Sequence, residues 1–446
     1  MSAPISTSHR LGLLGAIALT GSTMIGSGIY LLPAVLGAVG SIGLLSWLVA
    51  AAGAIMLALV FGTLGVLRPD AGGVVAYASD ALHPALGHIS WFVYWLGSWV
   101  SAAAVAVGLV GYMAYFVPIL RAPTPALIGS ICVVVLLSVA NMIGPRLVAR
   151  IGGATLLVGL VPVLLAIGVG LAAFDGDLFQ ASWNVSGKPD GVALSATVTS
   201  VFFAFLGLEC ANVAARVIDN PRRNLPIAAV GGVVVAGSIY IAASWAIMGL
   251  LPAQKLAAST APFADAIVPL IGVLAGGLVA ACALAKVTGT LGSTILITAE
   301  SQRSGVLAGF MPRWLTEPTG HKAPIREIIL TALLTCAAIW ASASPTLGGQ
   351  FLILINVTVI LSMIFYLLCA LSLFRMSGEI AKPIQRFATR GIAVLAAGFC
   401  IWVMATADAG LRLPAIAVVA ASLALWALGQ ILVRFKSRTP PSTPQG

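Results

Sequence analysis

The chain has 446 residues and a formal net charge of +10 at pH 7; 60% of its residues are hydrophobic and only 8% are charged. Its mean hydropathy is +1.08. This composition excludes an ordinary soluble globular protein and predicts an all-α, polytopic membrane protein.

Apolar segments bounded by proline, glycine and charged residues predict twelve membrane spans. The spans are expected near residues 11–36, 42–67, 86–118, 124–143, 147–174, 193–217, 226–251, 267–299, 326–342, 349–375, 388–407 and 413–434. The links between them are too short to form a soluble domain. We therefore predict one transmembrane domain over 11–434, with short tails over 1–10 and 435–446. The first apolar segment is too long for a signal-peptide core, so we expect it to remain as a span.

The first apolar segment, Leu11 to Leu36, contains Gly26, Ser27 and Gly28 at its centre. A helix can be interrupted at membrane depth only where the freed backbone groups face protein, ligand or a water-filled cavity. A break here predicts such a cavity. A helix restarting at Gly28 would point its unpaired N–H groups into it, where a substrate carboxylate could bind. The alternative is a continuous glycine-rich helix packed closely on a neighbour.

Basic residues are distributed unevenly over the predicted links. With the N-terminus inside, eighteen of the 23 Lys and Arg residues fall on the inner side, Lys286 lies within a span, and only Arg121, Lys188, Lys255 and Arg412 fall outside. This is the positive-inside pattern, which places both tails in the cytoplasm. The pattern also explains the net charge, so nucleic-acid binding is not expected.

Two ionisable residues, Glu209 and Lys286, lie inside predicted spans. Charges in the hydrocarbon region usually face the interior of the helix bundle, so both are functional candidates. The alternative is that they pair with each other or with backbone groups. Glu209 follows Gly207, which predicts a second break in span six. Breaks in spans one and six are typical of a five-plus-five inverted repeat, here over 11–174 and 193–375, with extra helices over 388–434.

No other chemistry is indicated. The six cysteines are scattered singly, and no metal site is expected. An enzyme would need a base beside Ser27, but the histidines lie at predicted helix ends or in loops, and no His-Glu-x-x-His motif is present. We expect no catalytic residues, metal or cofactor.

A channel is another alternative, and it would need a pore-lining polar stripe or a carbonyl filter and no occluded state. Trp91, Trp95 and Trp99 recur at helical spacing, which favours packing over a ligand cage.

Several motifs together resemble the amino acid/polyamine/organocation superfamily, and within it the basic amino acid/polyamine antiporters, such as the arginine/agmatine and putrescine/ornithine exchangers. The motifs are Gly26-Ser27-Gly28, Gly72-Gly73 after Pro69, Gly207-Leu208-Glu209, Asp219-Asn220-Pro221-Arg222-Arg223-Asn224-Leu225-Pro226-Ile227 and Thr260-Ala261-Pro262-Phe263. The resemblance extends from about Leu11 to span twelve.

The resemblance implies a twelve-helix inverted-repeat fold of the LeuT type in the bacterial inner membrane, and alternating access to amino acid or polyamine substrates. It leaves open whether the protein forms a homodimer, and it implies membrane lipid as a partner. The substrate-binding residues it implies fall into three groups. The first break, Gly26, Ser27 and Gly28, receives the substrate carboxylate; Thr23, Phe203 and Leu206 receive the amino group; and Gly97, Ser98, Thr294 and Thr358 lie along the route. Glu209, Tyr94 and Lys286 are candidates for coupling and pH response.

The sequence departs from the resemblance at the positions that would hold a cationic side chain. Where the arginine/agmatine exchanger has tryptophans and an asparagine, this chain has Thr294, Phe203 and Ala102. Tryptophan gives the strongest cation–π contacts, about 2 kcal/mol when desolvated. Lys286 would also repel a nearby cation, although it could replace a coupling sodium ion. The most strongly indicated function is an amino acid or polyamine antiporter; the alternative is a proton-coupled or facilitative, sodium-independent carrier of neutral amino acids.

Overall fold

The computed structural model describes residues 11–69, 76–210, 218–318 and 323–438. The predicted tail over 1–10, the Gly72-Gly73 pair and the end of the second predicted tail, 439–446, lie outside the described residues. The last helix continues to Arg438, past the predicted end of the transmembrane domain at residue 434.

Within these ranges the chain forms seventeen α-helices, and the described residues include no β-strand apart from an isolated bridge. The helices are α1 (Leu13–Met24), α2 (Gly28–Gly37), α3 (Gly43–Leu67), α4 (Ala76–Ala81), α5 (Pro84–Phe116), α6 (Pro123–Ile143), α7 (Pro145–Ala173), α8 (Gly176–Ala181), α9 (Asp190–Phe202), α10 (Pro221–Met248), α11 (Ala253–Ala258), α12 (Pro262–Ile271), α13 (Val273–Leu307), α14 (Ile325–Ala341), α15 (Leu347–Met376), α16 (Pro383–Thr406) and α17 (Ala409–Arg438).

Ten of the described helices are long and apolar enough to cross a membrane, and the bent pair α1 and α2 would make an eleventh span. This confirms an all-α, multi-pass membrane protein. The predicted count of twelve requires α14, of 17 residues, to cross as well. At 1.5 Å per residue α14 is about 26 Å long, close to the thickness of the hydrocarbon core. The twelfth span remains a prediction.

The first predicted break is present between α1 and α2. The first helix ends at Met24, the second begins at Gly28, and the two axes differ by 53°. Small residues permit this because the backbone can turn without burying a side chain at the turn. The N–H of Gly26 donates to the carbonyl of Met24 at 2.7 Å, which replaces a helical hydrogen bond. The alternative of a continuous glycine-rich helix is therefore wrong.

A second interruption follows α9. The helix ends at Phe202, a single 3-10 turn covers Phe203–Phe205, and Leu206 is extended with ψ 140°. Gly207 then has a φ of +103°, in the region that favours glycine. The helix is thus interrupted beside Glu209, as the sequence predicts. Residues 211–217, the rest of the predicted sixth span, lie outside the described ranges.

Three long helices form the centre of the bundle. α5 packs along both α13 and α15, and α13 also packs along α7. The broken helix lies beside them, with α1 crossing α10 so closely that a Cβ at Gly232 would lie 2.7 Å from Cβ of Thr20. This packing leaves the two breaks surrounded by α5, α7, α13 and α15.

Candidate functional site

A cavity of about 350 Å³ lies where the two breaks meet, lined by residues of α1, α5, α7, α13 and α15 and of the segment after α9. Ten of the thirteen predicted site residues line it. They are Thr23, Gly26, Tyr94, Gly97, Ser98, Leu206, Glu209, Lys286, Thr294 and Thr358. We call this the central cavity. The predicted residues therefore form less than half of the wall, and the other lining residues were not predicted.

The other three predicted residues, Ser27, Gly28 and Phe203, lie behind the wall and not on it. A Cβ at Gly28 would be 3.3 Å from Cδ1 of Phe203, so the two breaks pack directly on each other. Phe203 is 7% exposed and makes an edge-to-face contact with Phe351, with ring centroids 6.1 Å apart. In this conformation the three residues close one end of the central cavity.

The two breaks are also joined by a hydrogen bond. The hydroxyl of Thr23 donates to the carbonyl of Thr20 at 2.7 Å and lies 3.3 Å from the carbonyl oxygen of Gly207. A side chain at Gly207 would be strained by the positive φ and would place its Cβ 3.2 Å from the carbonyl oxygen of Thr23. Glycine is required here for both reasons.

Glu209 lies at the edge of the second break and is 7% exposed. Its Oε2 accepts a 2.7 Å hydrogen bond from the hydroxyl of Tyr366 and a 3.1 Å hydrogen bond from the N–H of Gly207. A carboxylate away from water needs such donors. The carboxylate therefore faces the central cavity while α15 holds it in position.

Lys286 lies on α13, against Gly159 of α7. A Cβ at Gly159 would come 2.5 Å from Cγ of Lys286 and 2.6 Å from the hydroxyl oxygen of Tyr30. That hydroxyl donates to the carbonyl of Gly159 at 2.6 Å. Among the described residues Lys286 and Glu209 form no ion pair, although both line the central cavity. Direct pairing of the two charges is therefore wrong for this conformation.

Hydroxyl groups cover much of the wall, and almost all of them have the same hydrogen-bonding pattern. Each donates to a carbonyl three or four residues earlier in its own helix; the group comprises Ser22, Thr23, Ser98, Thr290, Ser293, Thr294, Thr298, Thr358 and Ser362. Because their protons are used within the helices, the oxygens present lone pairs to the cavity. The wall therefore offers mainly acceptors, which suit an ammonium group.

Four of these hydroxyls, Thr290, Ser293, Thr294 and Thr298, form a stripe along α13 that begins one turn after Lys286. Of the four, only Thr294 is a predicted site residue. The stripe could have been predicted from the sequence, because a spacing of three and four residues places side chains on one face of a helix. The stripe extends the central cavity from the breaks toward the end of α13 that carries Arg303.

A second cavity, of about 720 Å³, lies on the other side of the contact between Phe203 and Phe351. Its lining includes Leu31, Arg121, Lys255, Asp265 and Phe351. Arg121 and Lys255 belong to the few basic residues that the sequence predicts on the outer side. We call this cavity the vestibule. Phe203 and Phe351 pack between it and the central cavity.

Comparison with known proteins agrees with this architecture. The family model described as "Amino acid permease" matches residues 11–430. A cadaverine/lysine antiporter of Escherichia coli (strain K12) is 30% identical over 401 residues, which cover 89% of each chain. Putrescine transporter PotE of Haemophilus influenzae is 30% identical over 362 residues, covering 81% of this chain and 83% of the relative. The chain is thus a membrane transporter and not an enzyme, and it belongs to the amino acid permease family.

Proposed function

We propose that the chain is an antiporter that exchanges an amino acid for a polyamine by alternating access through the central cavity. The observation that carries this proposal is the meeting of the two helix breaks at a cavity with a carboxylate and an acceptor-rich wall. The names of the relatives, a cadaverine/lysine antiporter and a putrescine transporter, support the same substrate class. They do not favour the alternative of a neutral amino acid carrier.

The wall suggests how the two substrates are held. An ammonium group common to both would be bound by Glu209, by the carbonyl of Gly207 and by hydroxyls such as that of Thr23. The carboxylate of an amino acid would bind the backbone of the first break at the positive end of α2. Gly26 already lies on the wall, and Ser27 and Gly28 would become accessible once Phe203 moved away from Gly28. A diamine has no carboxylate, so its second ammonium group would lie along the hydroxyl stripe of α13.

Lys286 supplies a fixed positive charge beside both breaks. Its stem packs against Gly159 and Tyr30, so the charge is held by α2, α7 and α13 together. We infer that this ammonium group makes a coupling sodium ion unnecessary, because it already provides a cation at the junction of these helices. Transport would then be independent of sodium.

The contact between Phe203 and Phe351 suggests which side of the membrane the central cavity faces. Phe203 and Phe351 separate the central cavity from the vestibule, while the hydroxyl stripe leads away from them along α13. With both termini in the cytoplasm of a bacterial cell, this conformation would face inward. We propose that the five-plus-five repeat, 11–174 and 193–375, provides the opposite conformation by rocking of one helix bundle against the other, with 388–434 outside the repeat.

Reconstitution into liposomes tests the proposal. Liposomes that contain the purified protein are loaded with unlabelled cadaverine, with unlabelled lysine or with buffer alone. Uptake of labelled lysine or cadaverine is then measured without sodium. We expect uptake only when an internal partner is present. Equal uptake into empty liposomes would contradict antiport. Uptake of labelled leucine but of neither cationic substrate would contradict the substrate class.

A further inference from the structure

A third cavity lies outside the transport path, between α4, the start of α5, the end of α13 with the segment that follows it, and α17. It has a volume of about 470 Å³, within the range of small-molecule sites, and its lining includes Asp80, His88, Trp91, Phe310 and Trp426. We call it the aromatic cavity. None of these residues lines the central cavity or the vestibule.

The rings of the aromatic cavity come from three separate parts of the chain and are close together. The centroid of Phe310 lies 5.1 Å from that of His88 and 5.7 Å from that of Trp91. On the other side, Trp426 of α17 is held by an edge-to-face contact with His83, at 5.8 Å. Helical spacing explains the stacking of Trp91 on its own helix, but it does not explain a cavity shared with Phe310 and Trp426.

The polar atoms of the buried rings are already bonded to protein groups that fix the rings in position. The indole N–H of Trp91 donates to the carbonyl of Ser301 at 3.0 Å, and Nδ1 of His88 lies 2.9 Å from the hydroxyl oxygen of Ser422. Both side chains are buried, at 2% and 3% exposure. Trp91 and His88 therefore form a fixed, packed support for Phe310. Phe310 and Trp426 are only partly buried, and their π faces can attract a cation.

The charge of the aromatic cavity also suits a cation. Asp80 is its one acidic lining residue, and the described lining contains no lysine or arginine. The charge of Arg68 reaches Asp80, but the Arg68 guanidinium is bound by Glu379 through hydrogen bonds of 2.6 and 2.8 Å. Among the described residues no hydrogen bond or ion pair occupies the Asp80 carboxylate, so it can act as the counter-ion of a ligand.

We propose that the aromatic cavity binds a primary ammonium group, with the rings of Trp426 and Phe310 over the cation and Asp80 as its counter-ion. The same chemistry is found in two sources, a free amine such as a diamine and the headgroup of phosphatidylethanolamine. The exposed Leu425 and Leu428 of α17 lie beside Trp426 in the sequence and would face acyl chains in the second case. The inference does not depend on which substrate the central cavity transports.

The aromatic cavity is placed to influence the transport path. Trp91 lies three residues before Tyr94 on α5, and Tyr94 lines the central cavity. Phe310 follows the end of α13, which carries Lys286 and the hydroxyl stripe. An occupied aromatic cavity would connect α5, α13 and α17 at the predicted cytoplasmic end, and it would thereby regulate the movement of these helices.

Two binding measurements on the purified full-length chain separate the sources. In the first, equilibrium dialysis with labelled cadaverine counts the molecules bound per chain. In the second, native mass spectrometry counts the phosphatidylethanolamine molecules retained after exchange into detergent, with phosphatidylglycerol as the reference lipid. The variants are Asp80→Asn and Trp426→Ala. The matched controls are Asp177→Asn and Trp340→Ala, which alter exposed residues elsewhere.

We expect both variants to lose one bound molecule, or about tenfold in affinity, in one of the two measurements, while the controls behave as the wild type. Loss of cadaverine identifies a free amine, and loss of phosphatidylethanolamine identifies the lipid. Trp426→Phe keeps an aromatic face and should restore binding, which separates a binding defect from a folding defect. If the variants retain both molecules as the controls do, the proposal is wrong, whatever the outcome of the transport assay.

Discussion

The hydroxyl of Tyr366 donates a 2.7 Å hydrogen bond to Oε2 of Glu209, joining α15 to the interrupted end of α9 across 157 residues. This bond crosses the edge of the central cavity. A ligand that drew the carboxylate into the cavity would have to compete with it. The pair therefore connects substrate binding at the second break to the position of α15.

We expect Tyr366→Phe to lower stability by about 1.5–3 kcal/mol, because a buried charged acceptor loses one of its two donors. Thermal unfolding of the detergent-purified protein measures the effect. Tyr94→Phe is the matched control: Tyr94 also lines the central cavity, but its hydroxyl has no hydrogen-bond partner among the described residues. Equal losses in both variants would show that the bond to Glu209 is unimportant.

Glu209→Gln should remove the pH dependence of exchange. Only the ionised carboxylate offers a full negative charge to an ammonium group, whereas the amide keeps the same shape at every pH. Exchange rates of wild type and variant are compared in proteoliposomes between pH 5 and pH 7.5. A variant that kept the wild-type pH profile would locate the responsible group elsewhere.

Gly159→Ala should reduce both stability and exchange, because the new Cβ would lie 2.5 Å from Cγ of Lys286 and 2.6 Å from the hydroxyl oxygen of Tyr30. Overpacking of this kind typically costs about 1–3 kcal/mol. Gly168→Ala on the same helix is the control, since nothing lies within 4 Å of a Cβ there. The prediction fails if the two variants unfold at the same temperature.

Thr294→Val should weaken diamine binding by about tenfold, equal to about 1.4 kcal/mol, because it replaces an acceptor of the hydroxyl stripe with a methyl group. KM for cadaverine exchange is the measurement. Thr288→Val on the same helix is the control, because Thr288 donates to the carbonyl of Leu284 and does not line the central cavity. A similar KM in both variants would exclude the stripe from substrate binding.

Lys286→Met should lower the KM for cadaverine several-fold and leave the KM for lysine less changed. The substitution keeps most of the stem that packs on Gly159 and removes a positive charge that repels both ammonium groups of the diamine. The substrate lysine is relieved of the same repulsion, but its carboxylate also loses the attraction of the Lys286 charge. Lys188→Met, in an exposed link, controls for net charge. Unchanged kinetics and unchanged sodium independence would remove Lys286 from the mechanism.

Both breaks could be predicted because their causes are local. Gly26, Ser27 and Gly28 interrupt an apolar segment, and Gly207 beside Glu209 does the same in span six. Neither pattern suits a lipid-exposed helix, so each implies a cavity. Thr23, Gly26, Leu206 and Glu209 lie beside the breaks and line the central cavity. The other predicted residues on the wall lie far from the breaks in the sequence; apart from Lys286, they follow from the resemblance and not from a local pattern.

Contacts between distant helices could not be predicted. The bond from Tyr366 to Glu209 and the fit of Lys286 and Tyr30 against Gly159 depend on how α2, α7, α9, α13 and α15 are rotated about their axes, and no local pattern in the sequence determines that rotation. The resemblance predicts Phe203 at the substrate amino group. It instead packs on Gly28 and Phe351, because the two breaks touch and leave no space between them.

The ring contact between Phe203 and Phe351 has an electrical consequence. Solvent in the central cavity and in the vestibule would bring the two bulk phases close to this contact, so most of the transmembrane voltage would fall across the residues that separate the two cavities. Moving one elementary charge through 100 mV is worth about 2.3 kcal/mol. A diamine and an amino acid carry different charges, so their exchange rate should respond to the membrane potential chiefly at the step in which these two rings separate.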